Sequence, residues 1–179
     1  MKTKITGFLV ALLFFGGNLF STLPIGETPA VLTLSGDEGG RIDGTAWSST
    51  ELVDKVWVVI YADPDESDLN DAATEALKAK DYSNDVYQSV AIINMKATWK
   101  PNFAINMILK GKQKKYPNTV YVKDMDKKVV AKWGLADESN DIVVFNPSGT
   151  VIFSHDGQLG PEDIKEMLSL IDAEIANMQ

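Results

Sequence analysis

The stretch VWVVIYA, Val56 to Ala62, is apolar without a break. Such a run predicts a strand covered on both faces, as in a parallel sheet. A helix is expected after it over Ser67–Ala79, with Leu69, Ala73, Ala76 and Leu77 as its buried stripe. Asp65, Ser67 and Asp68 supply caps and negative charge where the helix dipole favours them. VAIINM, Val90 to Met95, reads as the next strand. Pro101 then suits the first turn of a helix running from Asn102 to Lys114, which is expected to bury Phe103, Met107 and Ile108.

The second half changes character. Thr119–Val122 and Val129–Trp133 read as strands across the polar turn DMDKK. Ile142–Phe145 and Val151–Phe153 flank NPSG, in which Pro147 and Gly149 fit turn positions, so a β-hairpin is expected. A last helix starts at Pro161, and Ile164, Met167, Leu168, Ile171 and Ile175 share one face of it. At the front, Ala30–Leu34 and a short segment near Arg41–Asp43 suggest a leading hairpin around Gly39-Gly40. The order is a leading hairpin, β-α-β-α, further strands, a hairpin and a helix. It predicts an α/β fold in three layers: a mixed central sheet, an N-terminal β-hairpin extension and a C-terminal helix.

The first residues carry a different signal. MKTKITGFLVALLFFGGNLFS has Lys2 and Lys4 and then an apolar run from Ile5 to Phe15. The run is shorter than the ~20 residues of a membrane span. A secretory signal peptide over residues 1–22 is expected, with cleavage between Asn18 and Leu23 and the folded domain over 23–179. A membrane anchor is the alternative. The periplasm is the compartment this implies, with membrane contact only in transit through the signal peptide. Loss of Lys2 and Lys4 would leave 15 basic residues against 25 acidic ones, a charge of −10. Such a chain repels a phosphate backbone, so no nucleic-acid partner is expected. Lys110, Lys112, Lys114 and Lys115 form the dense basic cluster and read as a solvated helix face. With no cysteine in the chain, stability must come from the core alone.

The element order resembles that of the thioredoxin-like superfamily. AVLTLSGDEGGRIDGTAWSSTELVDKVWVVIYA is similar to the lead-in of thiol-disulfide reductases and peroxiredoxins, and DIVVFNPSGTVIFSHDGQL resembles their closing hairpin. Within that superfamily, YADPDESDLN, AIINMKATWKPN, KKYPNTVYVKD and WGLADESNDIVVFN are similar to the YtfJ-like proteins, a periplasmic family of unassigned function. Laid on the thioredoxin pattern, the two cysteine positions fall at Asp65 and Asp68. A carboxylate cannot form a mixed disulfide. The cis-proline position falls near Asn140 or Asp141, where no proline stands. The resemblance therefore implies a thioredoxin fold without redox chemistry, not an enzyme and without a cofactor. MKATWKPN resembles the WATWCxxC signature, but it follows the second parallel strand, and Lys100 stands at the first cysteine position.

Two chemistries remain for the vacant site. Asp63, Asp65, Glu66, Ser67 and Asp68 offer clustered oxygen ligands of the kind that hold Ca²⁺, with helix capping as the plain alternative. Ligands of open α/β sheets settle beyond the carboxyl ends of the strands. A surface there made of Asp63, Asp65, Asp68, Trp99, Lys100 and Asn102 could recognise a protein or small-molecule ligand. Trp99 either stacks on that partner or packs over the sheet end. Trp57 and Trp133 are expected in the core, and Trp47 over the leading hairpin. His155 is the lone histidine and is too few for a usual zinc site.

Overall fold

The computed structural model describes residues 22–178. The expected export segment lies outside the described residues but for its last position. A six-stranded sheet runs in the order β2, β6, β5, β4, β7, β8. Its strands are β2 (Gly39–Arg41), β4 (Val56–Ala62), β5 (Tyr87–Asn94), β6 (Thr119–Asp124), β7 (Asn140–Phe145) and β8 (Val151–His155). β4, β5 and β6 are parallel, while β2, β7 and β8 are antiparallel to their neighbours. Burial on both faces explains the unbroken apolar run of β4, which lies between β5 and β7. The closing hairpin forms as expected. Asn146 N donates to Thr150 O at 2.9 Å, and Gly149 sits at φ +78°, the left-handed region its turn requires.

Alternation along the strands separates two cores. On one face, Val56 and Val58 pack with Ala73 and Leu77 of α1 (Asp71–Ala79) and with Met167 and Ile171 of α4 (Pro161–Asn177). On the same face Ala62, Ala91 and Ile93 receive Ile105 and Leu109 of α2 (Asn102–Lys115). The opposite face joins Trp57, Val59 and Ile92 to Val129 and Trp133 of α3 (Lys128–Trp133). The result is the expected three-layer α/β arrangement with a mixed sheet and a C-terminal helix. All of Trp47, Trp57 and Trp133 are buried.

Four local expectations are corrected. Val129–Trp133 is a helix, not a strand. The buried Asp124 carboxylate accepts from the amides of Lys128 and Val129, at 3.0 and 2.9 Å, and so holds the helix start. Gly134, at φ +68°, closes it. The free edge of β6 is taken by β2 instead. In the leading ribbon, β1 (Thr33–Leu34) pairs with β3 (Trp47–Ser48), and β2 joins the main sheet. The extension is antiparallel as expected, but with a different partner. Helix α1 begins at Asp71 rather than Ser67. Residues 63–71 form tight turns first, with Glu66 N on Asp63 O, Leu69 N on Glu66 O and Asp71 N on Asp68 O. The fourth correction concerns α2. Its inward positions are Ile105 and Leu109, while Phe103 is 69% exposed, Met107 70% and Ile108 43%. The helical period puts 105 and 109 on the face opposite 103 and 107, so apolar residues line both sides of this helix.

Candidate functional site

The chain leaves β4 at Ala62, in the middle of the sheet, and passes over the strand ends. Asp63 is buried, and its Oδ1 accepts from the Asp65 amide at 2.7 Å. Loss of hydration raises the pKa of Asp63 above the usual carboxylate range. Asp65 points the other way, to Thr98 Oγ1 at 2.7 Å and to the Lys100 amine. Those bonds lower its pKa. Asp68 takes Lys112 Nζ at 3.1 Å and is lowered by it. The three carboxylates therefore face three different partners. Among the described residues no group of three acidic, histidine or cysteine side chains is placed to hold a metal ion. Asp63 caps its own turn, and the loop is pinned by Lys112 of α2 and by Lys100, which lies just before that helix.

Behind the loop lies a buried amide lattice. Asn70 Nδ2 donates to Asn140 O at 3.0 Å and to Gly157 O at 2.9 Å, and its Oδ1 accepts from Leu159 N at 2.9 Å. Asn140 Nδ2 in turn donates to Glu66 O at 3.0 Å. These bonds clamp the loop, the start of β7 and the entry to α4 into one unit. Asp141 follows, 1% exposed. Its Oδ2 accepts from Ala136 N at 2.8 Å, while its Oδ1 has no hydrogen-bond partner. Burial, and then the neighbouring Asp156 carboxylate, push it up to about 8. No single-sequence signal marked Asn70 as a clamp, because a polar residue before a helix reads as an ordinary cap.

The structure brings Asp65, Thr98 and Lys100 into direct contact, and places Trp99 between the last two in sequence. Trp99 is 87% exposed, so it does not pack over the sheet end. It stands in the loop before α2, ahead of the extended N-cap Pro101. Phe103 and Met107 share one face of the helix at a spacing of four. Asn102 is the exposed first residue of α2. His155 ends β8 beside Ile142, two residues before Gly157 of the clamp; its Nε2 lies 3.3 Å from Gln158 O, and its ring stacks on Phe153. The cavity nearest the loop, touched by Pro64, Ser67, Ile105 and Leu109, measures about 80 Å³. That is room for roughly two or three waters. A roomier cavity of about 250 Å³ opens beside Tyr87, Asn118 and Lys115, at the opposite end of the parallel strands.

Comparison with known proteins places this architecture. Residues 32–174 match the profile of a family described as bacterial protein of unknown function, YtfJ_HI0045. The chain belongs to that family. The YtfJ protein of Escherichia coli (strain K12) is 29% identical over 128 residues, spanning 70% of each chain. A protein of Haemophilus influenzae is 31% identical over 130 residues, again 70% of each. Among solved structures, a putative thioredoxin from Neisseria meningitidis superposes with a TM-score of 0.60 at 17% identity, covering 83% of this chain and 91% of that one. At that identity the likeness shows the thioredoxin-like fold alone. This YtfJ-family chain carries the fold with no cysteine anywhere in its sequence.

Proposed function

We propose that this YtfJ-family chain is an exported binding module whose partner is a protein, recognised at the strand end where thioredoxins keep their cysteines. One observation carries the reading: Phe103 and Met107, one helical turn apart on α2, and Trp99, in the loop just before it, are all more than two-thirds exposed. Together these three side chains expose apolar surface on the order of several hundred Å². Patches of that size on a monomer mark interaction sites. Aromatic residues and methionine are the types enriched at protein interfaces. The small volume of the neighbouring cavity favours a protein face over a small ligand.

Redox catalysis finds no support in the residues present. Asp65 and Asp68 stand in the loop after β4, and Asn140 and Asp141 open β7 without a proline. Cation binding by Asp63, Asp65 and Asp68 is the weaker reading, because each carboxylate already has its own partner. Export rests on the N-terminal sequence. The test is affinity capture from periplasmic extract with the mature chain as bait. Phe103→Glu combined with Met107→Glu is expected to lose the captured partner while leaving the melting temperature nearly unchanged. Capture that survives the double substitution, at wild-type levels, would remove this surface from the account.

A further inference from the structure

The exposed face of α2 does not end with Met107. Lys110 and Lys114 continue the same stripe, at further spacings of three and four residues. Alternation of three and four is the repeat by which one helix lies along another. The first half of the stripe is apolar and the second half cationic. Every charged residue of α2 is a lysine, in a protein of net charge −8. Lys112 and Lys115 are matched by Asp68 and Glu75, but Lys110 and Lys114 reach no carboxylate among the described residues. Lys114 sits in the last turn of the helix, where positive charge is favoured by the dipole, and both lysines are exposed.

We propose that this stripe docks an amphipathic helix of a partner protein, with apolar side chains against Trp99, Phe103 and Met107 and carboxylates against Lys110 and Lys114. The inference rests on the protein-binding reading above and specifies its partner. Charge complementarity selects the occupant. A second copy of this chain fits poorly. Two α2 stripes packed together bring no carboxylate to either lysine pair, since α2 has no acidic residue. An anionic membrane also fits poorly, because Asp65, Glu66 and Asp68 are exposed in the loop that Lys100 ties beside Trp99. Insertion of Trp99 into lipid would press those carboxylates on like charge.

The test uses two synthetic amphipathic peptides with leucine along one face, one carrying glutamate and the other lysine on the remaining positions. Trp99 reports docking, since the other three tryptophans are buried. A blue shift of emission is expected with the glutamate peptide, at a dissociation constant about tenfold or more below that of the lysine peptide at low salt. Phe103→Glu is expected to abolish the shift. Lys110→Glu with Lys114→Glu is expected to reverse the preference. Equal affinity for both peptides, or no shift with the glutamate peptide, overturns the inference. So does sedimentation with phosphatidylglycerol vesicles, or a concentration-dependent dimer that Phe103→Glu dissolves. If the peptides show no charge preference while extract capture still depends on Phe103 and Met107, the helical acidic partner is wrong and the binding module stands.

Discussion

Asp141 shows what a single buried carboxyl does at this end of the sheet. Its ordinary pKa lies near 4, and the folded protein raises it to about 8. Between those values the unfolded chain has released the proton and the folded protein keeps it. Stability therefore falls as pH climbs from about 4 to about 8, and levels off above. Asp141→Asn is expected to remove that slope and to raise the melting temperature at pH 8, read by thermal unfolding across the pH range. An unchanged slope would mean that Asp141 is ionised in the fold. Asn70 acts nearby through hydrogen bonds. Asn70→Ala leaves the carbonyls of Asn140 and Gly157 and the amide of Leu159 without their partner. The expected cost is about 2–4 kcal/mol, measured by urea unfolding. Asp65 and Asp68 were legible as candidates because charge in a loop is conspicuous. The buried amides were not, since burial is a property of the assembled sheet and leaves no mark on one residue.

At the scale of elements, α2 separates packing from presentation. Leu109 is 3% exposed and Phe103 69%. Leu109→Ala is expected to cost about 2–5 kcal/mol, and Phe103→Ala less than about 0.5 kcal/mol, both by chemical denaturation. The strand β2 offers a second test. A Cβ at Gly39 would meet Lys123 O at 1.9 Å, and the residue holds φ +130°. Gly39→Ala is expected to peel β2 from β6, seen as faster amide exchange along β6. The elements legible in the chain were those with one clear period: β4, the 146–149 turn and α4. Helix α2 misled because Phe103 and Met107 are spaced by one helical turn just as Ile105 and Leu109 are. Periodicity gives the shape of an element but not which apolar side turns inward. Helix α3 misled because VVAKW is too short to separate a period of 3.6 from one of 2, and its start depends on Asp124, a contact from the preceding strand.

At the scale of the molecule, the thioredoxin-like architecture delivers the loop after β4 and the start of α2 to one end of the sheet. In this family member that end holds lysine–carboxylate ties, with exposed apolar residues beside them. Calcium is expected to leave the melting temperature unmoved, because Asp63, Asp65 and Asp68 turn to separate partners; a calcium-dependent rise would show that they converge when the ion is offered. Photo-crosslinking in cells tests most directly whether Trp99, Phe103 and Met107 form an interaction face. A benzophenone side chain at position 103 is predicted to yield a discrete adduct with another protein. The same group at Lys165, exposed on α4, is predicted to yield none. Identical patterns from the two positions, or no adduct at 103, would contradict the account.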